Sequence, residues 1–322
     1  MACVSIIILC FNAMKYLPAT LESVYSQKGV DCEVVAVDDG STDGTRDFLE
    51  SCGAKIRAHY IEHRGASAAR NIGTKNSKAE FIQYLVADDL LRPRAIERRV
   101  NALLESGADV AYSDWQYLVE KKDGSFLPGR VIYRRIEDIH PDPQIALFTD
   151  FWAPPAALLY RRRIVDLIGG WNISLSIIQD ARFLLDAALC GAKFAHVSEI
   201  GADYRDHRSD SLSKRDSIEF IKDILVNADQ VHEWWNAHAS LNNERLKALM
   251  KVYGYVARSS IKKNTKLFDL ACERLMELDP KYIPKSSRAL AAASAWFGYK
   301  NAEYLAFGFR FFKKLTRFGR KN

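Results

Sequence analysis

The sequence has few cysteines and no closely spaced pair of them. Its 322 residues include six, none in a Cys-x-x-Cys pattern, and they are scattered along the chain: Cys3, Cys10, Cys32, Cys52, Cys190 and Cys272. This spacing argues against a disulfide framework and against a cysteine-based zinc site. We expect reduced thiols and a cytoplasmic protein.

Long hydrophobic runs are also missing. Val4–Phe11 is apolar, but no basic residue precedes it and Asn12 ends it, so we interpret it as a buried strand and not as a signal peptide. The chain has no run of about 18 apolar residues and no repeat with a period of about 20–50 residues. We therefore expect neither a membrane-spanning helix nor a solenoid.

Most of the chain has no excess of charge of either sign. The formal net charge is +6, and residues 298–322 contain seven basic residues against one acidic residue, so residues 1–297 are neutral overall. This distribution does not support a nucleic-acid partner for the main body, and we expect none. With 48% hydrophobic residues the chain can bury a large core, and its length suggests about two domains.

What the sequence does contain is a strand that ends in acid, at Glu33–Thr45. The apolar run Val34–Val37 is typical of a buried parallel strand, and Asp38 and Asp39 follow it directly. Ligands of open α/β sheets bind outside the carboxyl ends of the strands, so this turn is a candidate ligand site. The alternative is that both acids are solvated loop residues beside a helix cap. If the turn does bind a ligand, Asp38 can close the turn while Asp39 binds the ligand.

The same pattern returns further along the chain. Phe81–Val86 predicts another such strand, which ends before Asp88 and Asp89. Strand and helix patterns alternate up to this point, which predicts an α/β fold with a mostly parallel, Rossmann-like sheet and flanking helices. Beyond it we expect six short separate strands, at Val110–Ser113, Gln116–Val119, Phe126–Ile132, Ala156–Tyr160, Phe194–Val197 and Ala202–Tyr204. After Arg215 the pattern becomes helical, so we expect an α/β domain in residues 1–214 and a helical region in residues 215–322.

Six motifs in a fixed order carry a family resemblance. They read VSIIILCFNAMKYL, VDDGSTDGT, ASAARNIG, YLVADDLLRP, QDARFLLDAALCG and YRDHRSDSLS. This order resembles that of the family-2 glycosyltransferases, which are inverting enzymes with the GT-A fold. The resemblance covers Val4–Ser213, about two thirds of the chain, and makes residues 1–214 the expected catalytic domain.

The resemblance implies roles for individual residues. Phe11 and Asp39 match positions that hold the nucleotide base, and Arg70 matches a contact to the diphosphate or the base edge. Asp88 matches the acid that binds a divalent metal, Mn2+ or Mg2+, on the donor diphosphate, where the cation offsets the charge of the leaving group. Asp180 matches the catalytic base, which takes the proton of an acceptor hydroxyl.

The same resemblance extends the metal site and also shows two departures. His207 matches a histidine that reaches the metal or the phosphates, and Asp89 can supply a further carboxylate beside Asp88. Val86 stands where the family has the first acid of its Asp-x-Asp-Asp motif, and Gln179 stands where an acid usually precedes the base. The replacement of the acid by Val86 affects either the affinity for the metal or the choice of the donor.

Several assignments have a structural alternative. Arg70 can be an exposed helix arginine, Asp180 an N-cap, and His207 a solvated loop residue. Trp152 and Trp171 are either packing residues or platforms on which an acceptor sugar stacks.

The C-terminal stretch combines an aromatic stripe with a basic one. Helical spacing places five apolar residues on one face and four cations about a quarter-turn away: Tyr304, Phe307, Phe311, Leu315 and Phe318 against Arg310, Lys314, Arg317 and Lys321. Such a helix suits the surface of an anionic membrane. A helix packed on the catalytic domain and an oligomerisation helix are the alternatives.

The resemblance therefore implies a metal-dependent hexosyl- or N-acetylhexosaminyltransferase. The expected reaction moves a sugar from a nucleotide-diphosphate donor, typically a UDP-sugar, to a hydroxyl of a glycan or lipid-linked acceptor in polysaccharide or glycoconjugate biosynthesis. We expect a cytoplasmic location, with peripheral attachment to the membrane through the tail. A sugar-nucleotide-binding protein that has lost catalysis, with Val86 as the lesion, is the alternative.

Overall fold

The computed structural model describes residues 2–207, 216–284 and 287–318, with side chains up to Phe309. The polar loop expected at Asp206–Lys214 lies outside these ranges from residue 208 onward. The chain divides into two compact units, Met1–Arg215 and Asp216–Asn322. The assignment of catalysis to the first unit stays a prediction.

The strands belong to the first unit and form one mixed sheet. Within the described part of the chain they are β1 Cys3–Cys10, β2 Asp31–Asp38, β3 Arg57–Tyr60, β4 Phe81–Val86, β5 Leu90–Leu91, β6 Val110–Glu120, β7 Phe126–Ile132, β8 Leu158–Arg161 and β9 Phe194–Asp206. Their order across the sheet is β3-β2-β1-β4-β8-β6-β9-β5, and β7 pairs with β6.

Helices flank the sheet in the first unit and make up the second. The first unit contains α1 Leu17–Tyr25, α2 Thr45–Ser51, α3 Ala66–Lys75, α4 Ala95–Ser106, α5 Pro143–Thr149, α6 Arg162–Ile168 and α7 Gln179–Leu189. The second unit contains α8 Ser217–Ala237, α9 Asn243–Ser260, α10 Thr265–Leu278, α11 Arg288–Phe297 and α12 Tyr299–Phe318. Of the described helices, none has both the length and the apolar character needed to cross a bilayer.

The direction of the strands confirms the predicted fold class. β1 is parallel to β2 and β4, β2 is parallel to β3, and β6 is parallel to β9. β8 runs antiparallel to both of its neighbours, β4 and β6. Ile6, Ile8, Val35 and Val37 are fully buried, as expected for central parallel strands that are covered on both faces.

The expectation that residues 110–119 and 194–204 each form two short strands was wrong. Val110–Glu120 and Phe194–Asp206 are each one continuous strand, and the two pair along their length. Asp114 lies inside β6, where the register shifts on both sides of it. Its buried carboxylate lies 2.8 Å from Nε2 of His196 on β9, so the strand can contain an acid because a partner satisfies it.

Three parallel strands bring their carboxyl ends to one edge of the sheet. β1 ends before Phe11, β2 ends at Asp38, and β4 ends before Asp88. Asn12, with φ +48°, ties the first two loops together. Its backbone N–H donates to Oγ of Ser41, and its side-chain oxygen accepts from the N–H of Thr42, both at 2.8 Å.

Candidate active site

Asp38 and Asp39 at the end of β2 are both buried, but they have different partners. Asp38 accepts hydrogen bonds from the hydroxyl and the backbone N–H of Ser41, so it closes the turn. Asp39 accepts from the backbone N–H groups of Arg64 at 2.7 Å and Gly65 at 2.9 Å. The carboxylate of Asp39 is thereby fixed at the start of α3, with charge-assisted bonds to both of its oxygens.

His63 lies between Phe11 and Asp39, and the sequence analysis did not identify it. The ring of His63 stacks on Phe11 with the centroids 4.4 Å apart and the planes 27° apart. Nδ1 of the same histidine is 3.0 Å from Oδ2 of Asp39. Phe11 is 46% exposed, so an accessible aromatic face and a buried carboxylate occur together. His63 lies just beyond β3, where the argument from strand ends could have found it.

Arg70 is buried, so its reading as an exposed helix arginine was wrong. It is 4% exposed and its guanidinium carbon lies 4.3 Å from the centroid of the Trp171 ring. Burial lowers the pKa of Arg70, and the charge of Asp180 opposes that shift. The structure therefore places Arg70 in the electrostatic field of Asp180, whereas the resemblance implies a donor contact.

Asp88 and His207 come together at the end of β4. Nε2 of His207 lies 2.9 Å from Oδ2 of Asp88, whose side chain is 29% exposed. His207 itself is buried beside Tyr16, with ring centroids 5.0 Å apart. Its reading as a solvated loop histidine was therefore wrong.

Asp89 does not join this pair. It is 1% exposed, and one of its oxygens accepts from the backbone N–H of Arg205 at 3.0 Å. Burial and the charge of Asp88 raise the pKa of Asp89 well above its usual value. The guanidinium of Arg205 also donates to the backbone carbonyl of Asp88, so Arg205 holds the turn that contains Asp88 and Asp89. The sequence analysis did not identify Arg205, although it lies in the YRDHRSDSLS motif.

The donor set at this turn fits part of a divalent metal site. Asp88 and His207 supply one carboxylate and one imidazole, and the second oxygen of Asp89 is buried without a partner. Among the described residues, no group of three or more His, Cys, Asp or Glu side chains is arranged to hold a metal. Asp88 and His207 are the residues that would hold such a cation.

Asp180 is the second residue of α7. Its Oδ2 accepts from Nε1 of Trp152 at 2.9 Å, and its Oδ1 accepts from the backbone N–H of Ala181 at 2.8 Å. The N-cap of α7 is Ile178, so the N-cap reading of Asp180 was wrong. Burial raises the pKa of Asp180, while the cation of Arg70 and the Trp152 bond hold it down.

The two tryptophans near Asp180 have different surroundings. Trp171 is buried and stacks on Phe183 with the centroids 4.1 Å apart, so it is a packing residue. Trp152 is half-buried and contacts Trp115 and Tyr204 edge-to-face, at 5.3 and 5.4 Å. Gln179 is buried next to Asp180 in sequence, and a neutral amide there avoids burying a second charge.

The comparison with protein families covers the segment of the chain that contains the strand-end site. The model described as Glycosyl transferase family 2 matches residues 5–166. The chain belongs to this family. The matched segment includes Phe11, Asp39, Arg70 and Asp88, whereas Asp180 and His207 lie beyond its end.

Two curated relatives show how the similarity is distributed along this family member. An uncharacterized glycosyltransferase of Rickettsia typhi is 35% identical over 120 residues, which is 37% of this chain and 38% of that protein. An uncharacterized glycosyltransferase of Nostoc is 24% identical over 324 residues, which is 98% of this chain and 95% of that one. The chain spans about two fifths or less of the first relatives it matches.

A solved structure confirms the GT-A fold. TarS residues 1–349 from S. aureus superimpose with a TM-score of 0.64 at 18% identity, covering 94% of this chain and 90% of that one. The same TarS segment has been crystallised with UDP and with UDP-GlcNAc. At this identity the likeness concerns the fold alone.

Proposed function

We propose that the protein is an inverting glycosyltransferase that uses a UDP-sugar donor. The transferred group is a hexosyl or N-acetylhexosaminyl unit, and the acceptor is a hydroxyl of a glycan or of a lipid-linked glycan in polysaccharide or glycoconjugate biosynthesis. The observation that carries the proposal is the partly desolvated carboxylate of Asp180, held by hydrogen bonds to both oxygens. A carboxylate of raised pKa is suited to take a proton.

The donor site is assigned to the carboxyl ends of β1, β2 and β4. Phe11 offers an aromatic face to the base, and Asp39 offers an anionic acceptor beside it. Asp88 and His207 would hold a divalent cation at the diphosphate end of the donor. That cation, Mn2+ or Mg2+, would supply positive charge against the phosphates. TarS, with its UDP complexes and the same fold, supports a uridine donor.

The chemical step is a single displacement at the anomeric carbon. Asp180 removes the proton of the acceptor hydroxyl while the acceptor oxygen forms a bond to that carbon. The bond from the anomeric carbon to the phosphate oxygen breaks, and its electron pair leaves with the nucleoside diphosphate. Because attack and departure occur on opposite faces, the configuration inverts. Arg70 stabilises the ionised form of Asp180 before the proton moves.

The test is Asp180→Asn, which keeps the shape of the side chain but cannot take the proton. We expect sugar transfer to fall about 100- to 10,000-fold, while the affinity for UDP stays unchanged. In the unmodified protein kcat/KM should fall as the pH drops through the raised pKa of Asp180, because protonation removes the base. Transfer by Asp180→Asn at the normal rate would contradict the assignment.

The alternative of a binding protein without catalysis rests on Val86. This apolar residue is the last residue of β4, two positions before Asp88. It stands where the family has the first acid of its Asp-x-Asp-Asp motif. Slow hydrolysis of a UDP-sugar that depends on Mn2+ would favour the enzyme. Binding of the donor without hydrolysis or transfer would favour the alternative.

We also propose that the enzyme works at the cytoplasmic surface of an anionic membrane. In the second unit Trp296 is 85% exposed and Phe309 is 70% exposed, with Phe297 and Leu305 also exposed. The basic residues of the sequence from position 310 onward follow directly. Exposed aromatic side chains beside cations suit an anionic interface.

A further inference from the structure

Trp152 lies on a loop whose backbone is held in place on both sides. Phe151 before it and Ala153 after it are buried, and so is Pro154. The N–H of Phe151 also donates to the carbonyl of Ala146 at 2.8 Å. The loop therefore presents Trp152 from a fixed backbone position, unlike a side chain on a mobile surface loop.

The indole ring of Trp152 is held by aromatic neighbours. Trp115 on β6 and Tyr204 on β9 meet it edge-to-face, at 5.3 and 5.4 Å between centroids, and these two rings also contact each other at 5.8 Å. Edge-to-face pairs of this spacing are favourable beyond their buried area. The packing directs Nε1 of the indole toward Oδ2 of Asp180, at 2.9 Å.

Both oxygens of the Asp180 carboxylate accept a hydrogen bond. The backbone N–H of Ala181 serves Oδ1, and the indole N–H of Trp152 serves Oδ2. Two donors on different oxygens restrain rotation of the carboxylate about its bond to Cβ. The first donor is a backbone N–H, so it does not depend on the side chain at position 181. The second donor depends on the side chain of Trp152.

We propose that Trp152 is a positioning residue for Asp180: its indole N–H sets the orientation of the carboxylate and favours its ionised form. This role rests on the proposed function of Asp180 as the base, and it goes beyond the choice between packing residue and sugar platform. The indole touches neither the donor nor the reacting atoms in this account. It acts through the carboxylate alone.

The direction of the effect follows from the charge of the acceptor. A hydrogen bond to a carboxylate stabilises the charged form and lowers the pKa, whereas burial without such bonds raises it. Loss of the indole N–H therefore raises the pKa of Asp180. The base is then protonated over a wider range of acidic pH, and the lost activity returns when the pH is raised.

The test compares pH profiles of kcat/KM for the unmodified chain, Trp152→Phe and Tyr117→Phe. The first variant keeps an aromatic ring but has no N–H. The second removes a hydroxyl from the same aromatic cluster, where Tyr117 contacts Trp115 at 4.6 Å, and leaves Asp180 untouched. We expect the acid limb of Trp152→Phe to move up by about one to two pH units, and that of Tyr117→Phe to stay in place.

A second replacement separates the hydrogen bond from packing. Substitution of Trp152 by β-(3-benzothienyl)alanine keeps the bicyclic shape and replaces the N–H by sulfur, so it should shift the acid limb as Trp152→Phe does. A profile identical to that of the unmodified chain in both variants would overturn the proposal.

Asp180→Asn in the same assay tells the two hypotheses apart. If it transfers sugar at the normal rate, the proposed function of Asp180 fails. If it is inactive while both Trp152 variants keep the unshifted profile, only the role of Trp152 fails.

Discussion

Arg70 was identified from the sequence as a candidate site residue, but its burial was not predicted. Its motif was visible in the sequence, but the burial of its guanidinium over Trp171 was not. Burial of a long cationic side chain depends on contacts between residues distant in sequence: Arg70 lies on α3 and Trp171 follows α6. Local patterns carry no information on such contacts. The link between Trp152 and Asp180, 28 positions apart, was missed for the same reason.

Replacement of Arg70 by methionine distinguishes a role at the base from a role at the donor. Because the cation holds the pKa of Asp180 down, Arg70→Met should move the acid limb of kcat/KM up by about one to three pH units. The affinity for UDP should change little, and calorimetric titration measures it. Removing one partner of a buried pair of charges costs stability, so circular dichroism should first show that Arg70→Met is folded.

Arg46→Met provides the matched control for Arg70→Met. Arg46 is an exposed arginine of α2 that pairs with Glu50 at 3.0 Å, so its loss should leave the pH profile unchanged. A large loss of UDP affinity in Arg70→Met without a shifted pH profile would contradict this role and support a contact between Arg70 and the donor diphosphate.

At the scale of elements, the first half of the sheet followed from the sequence and the second half did not. β1, β2 and β4 are apolar runs that end in a polar turn. Their carboxyl ends were predicted within one residue, whereas β2 begins three residues before the predicted run. β6 and β9 are long strands interrupted by polar residues such as Asp114, and the sequence favoured breaks there. The hydrogen bond from His196 that keeps Asp114 in the strand is a long-range contact without a local signal.

The packing of α3 on β1 depends on Gly73. A Cβ at this position would lie 2.3 Å from a methyl carbon of Ile7 on the central strand. Gly73→Ala should therefore destabilise the first unit by about 1–3 kcal/mol, as overpacking of a core does. Chemical denaturation followed by circular dichroism measures the change.

Gly308→Ala adds the same methyl group to α12, where no atom of the described structure lies within 4 Å of it. It should leave stability unchanged or raise it by about 1 kcal/mol through helix propensity. Equal stability of Gly73→Ala and the unmodified chain would mean that α3 does not approach β1 as closely as described.

At the scale of the whole molecule, the excess of positive charge and the candidate active site lie in different parts of the chain. Residues 1–297 are neutral overall, and the net charge of +6 comes from the last 25 residues. The predicted aromatic stripe of this tail falls partly on residues whose side chains are outside the described structure. Ala302 and Glu303 near the start of α12 are buried, so a truncation that tests the tail should begin after Phe309.

Removal of residues 310–322 deletes six basic residues and leaves the buried part of α12 in place. Flotation with anionic vesicles should recover the full chain at low salt, and the truncated chain should remain unbound. Each Lys or Arg near such a surface contributes about 1 kcal/mol, and added salt should weaken the binding. Neutral vesicles are the control, and equal flotation of both chains would contradict a role for the tail.

The most direct test of the account is a calorimetric titration of UDP into the full chain, once with Mn2+ and once with EDTA. The proposed site combines Phe11 and Asp39 for the base with Asp88 and His207 for the metal-bound diphosphate. We predict saturable binding with one UDP per chain in the presence of Mn2+, and much weaker binding in EDTA. No binding of UDP under either condition would contradict the assignment of this edge of the sheet as a uridine donor site.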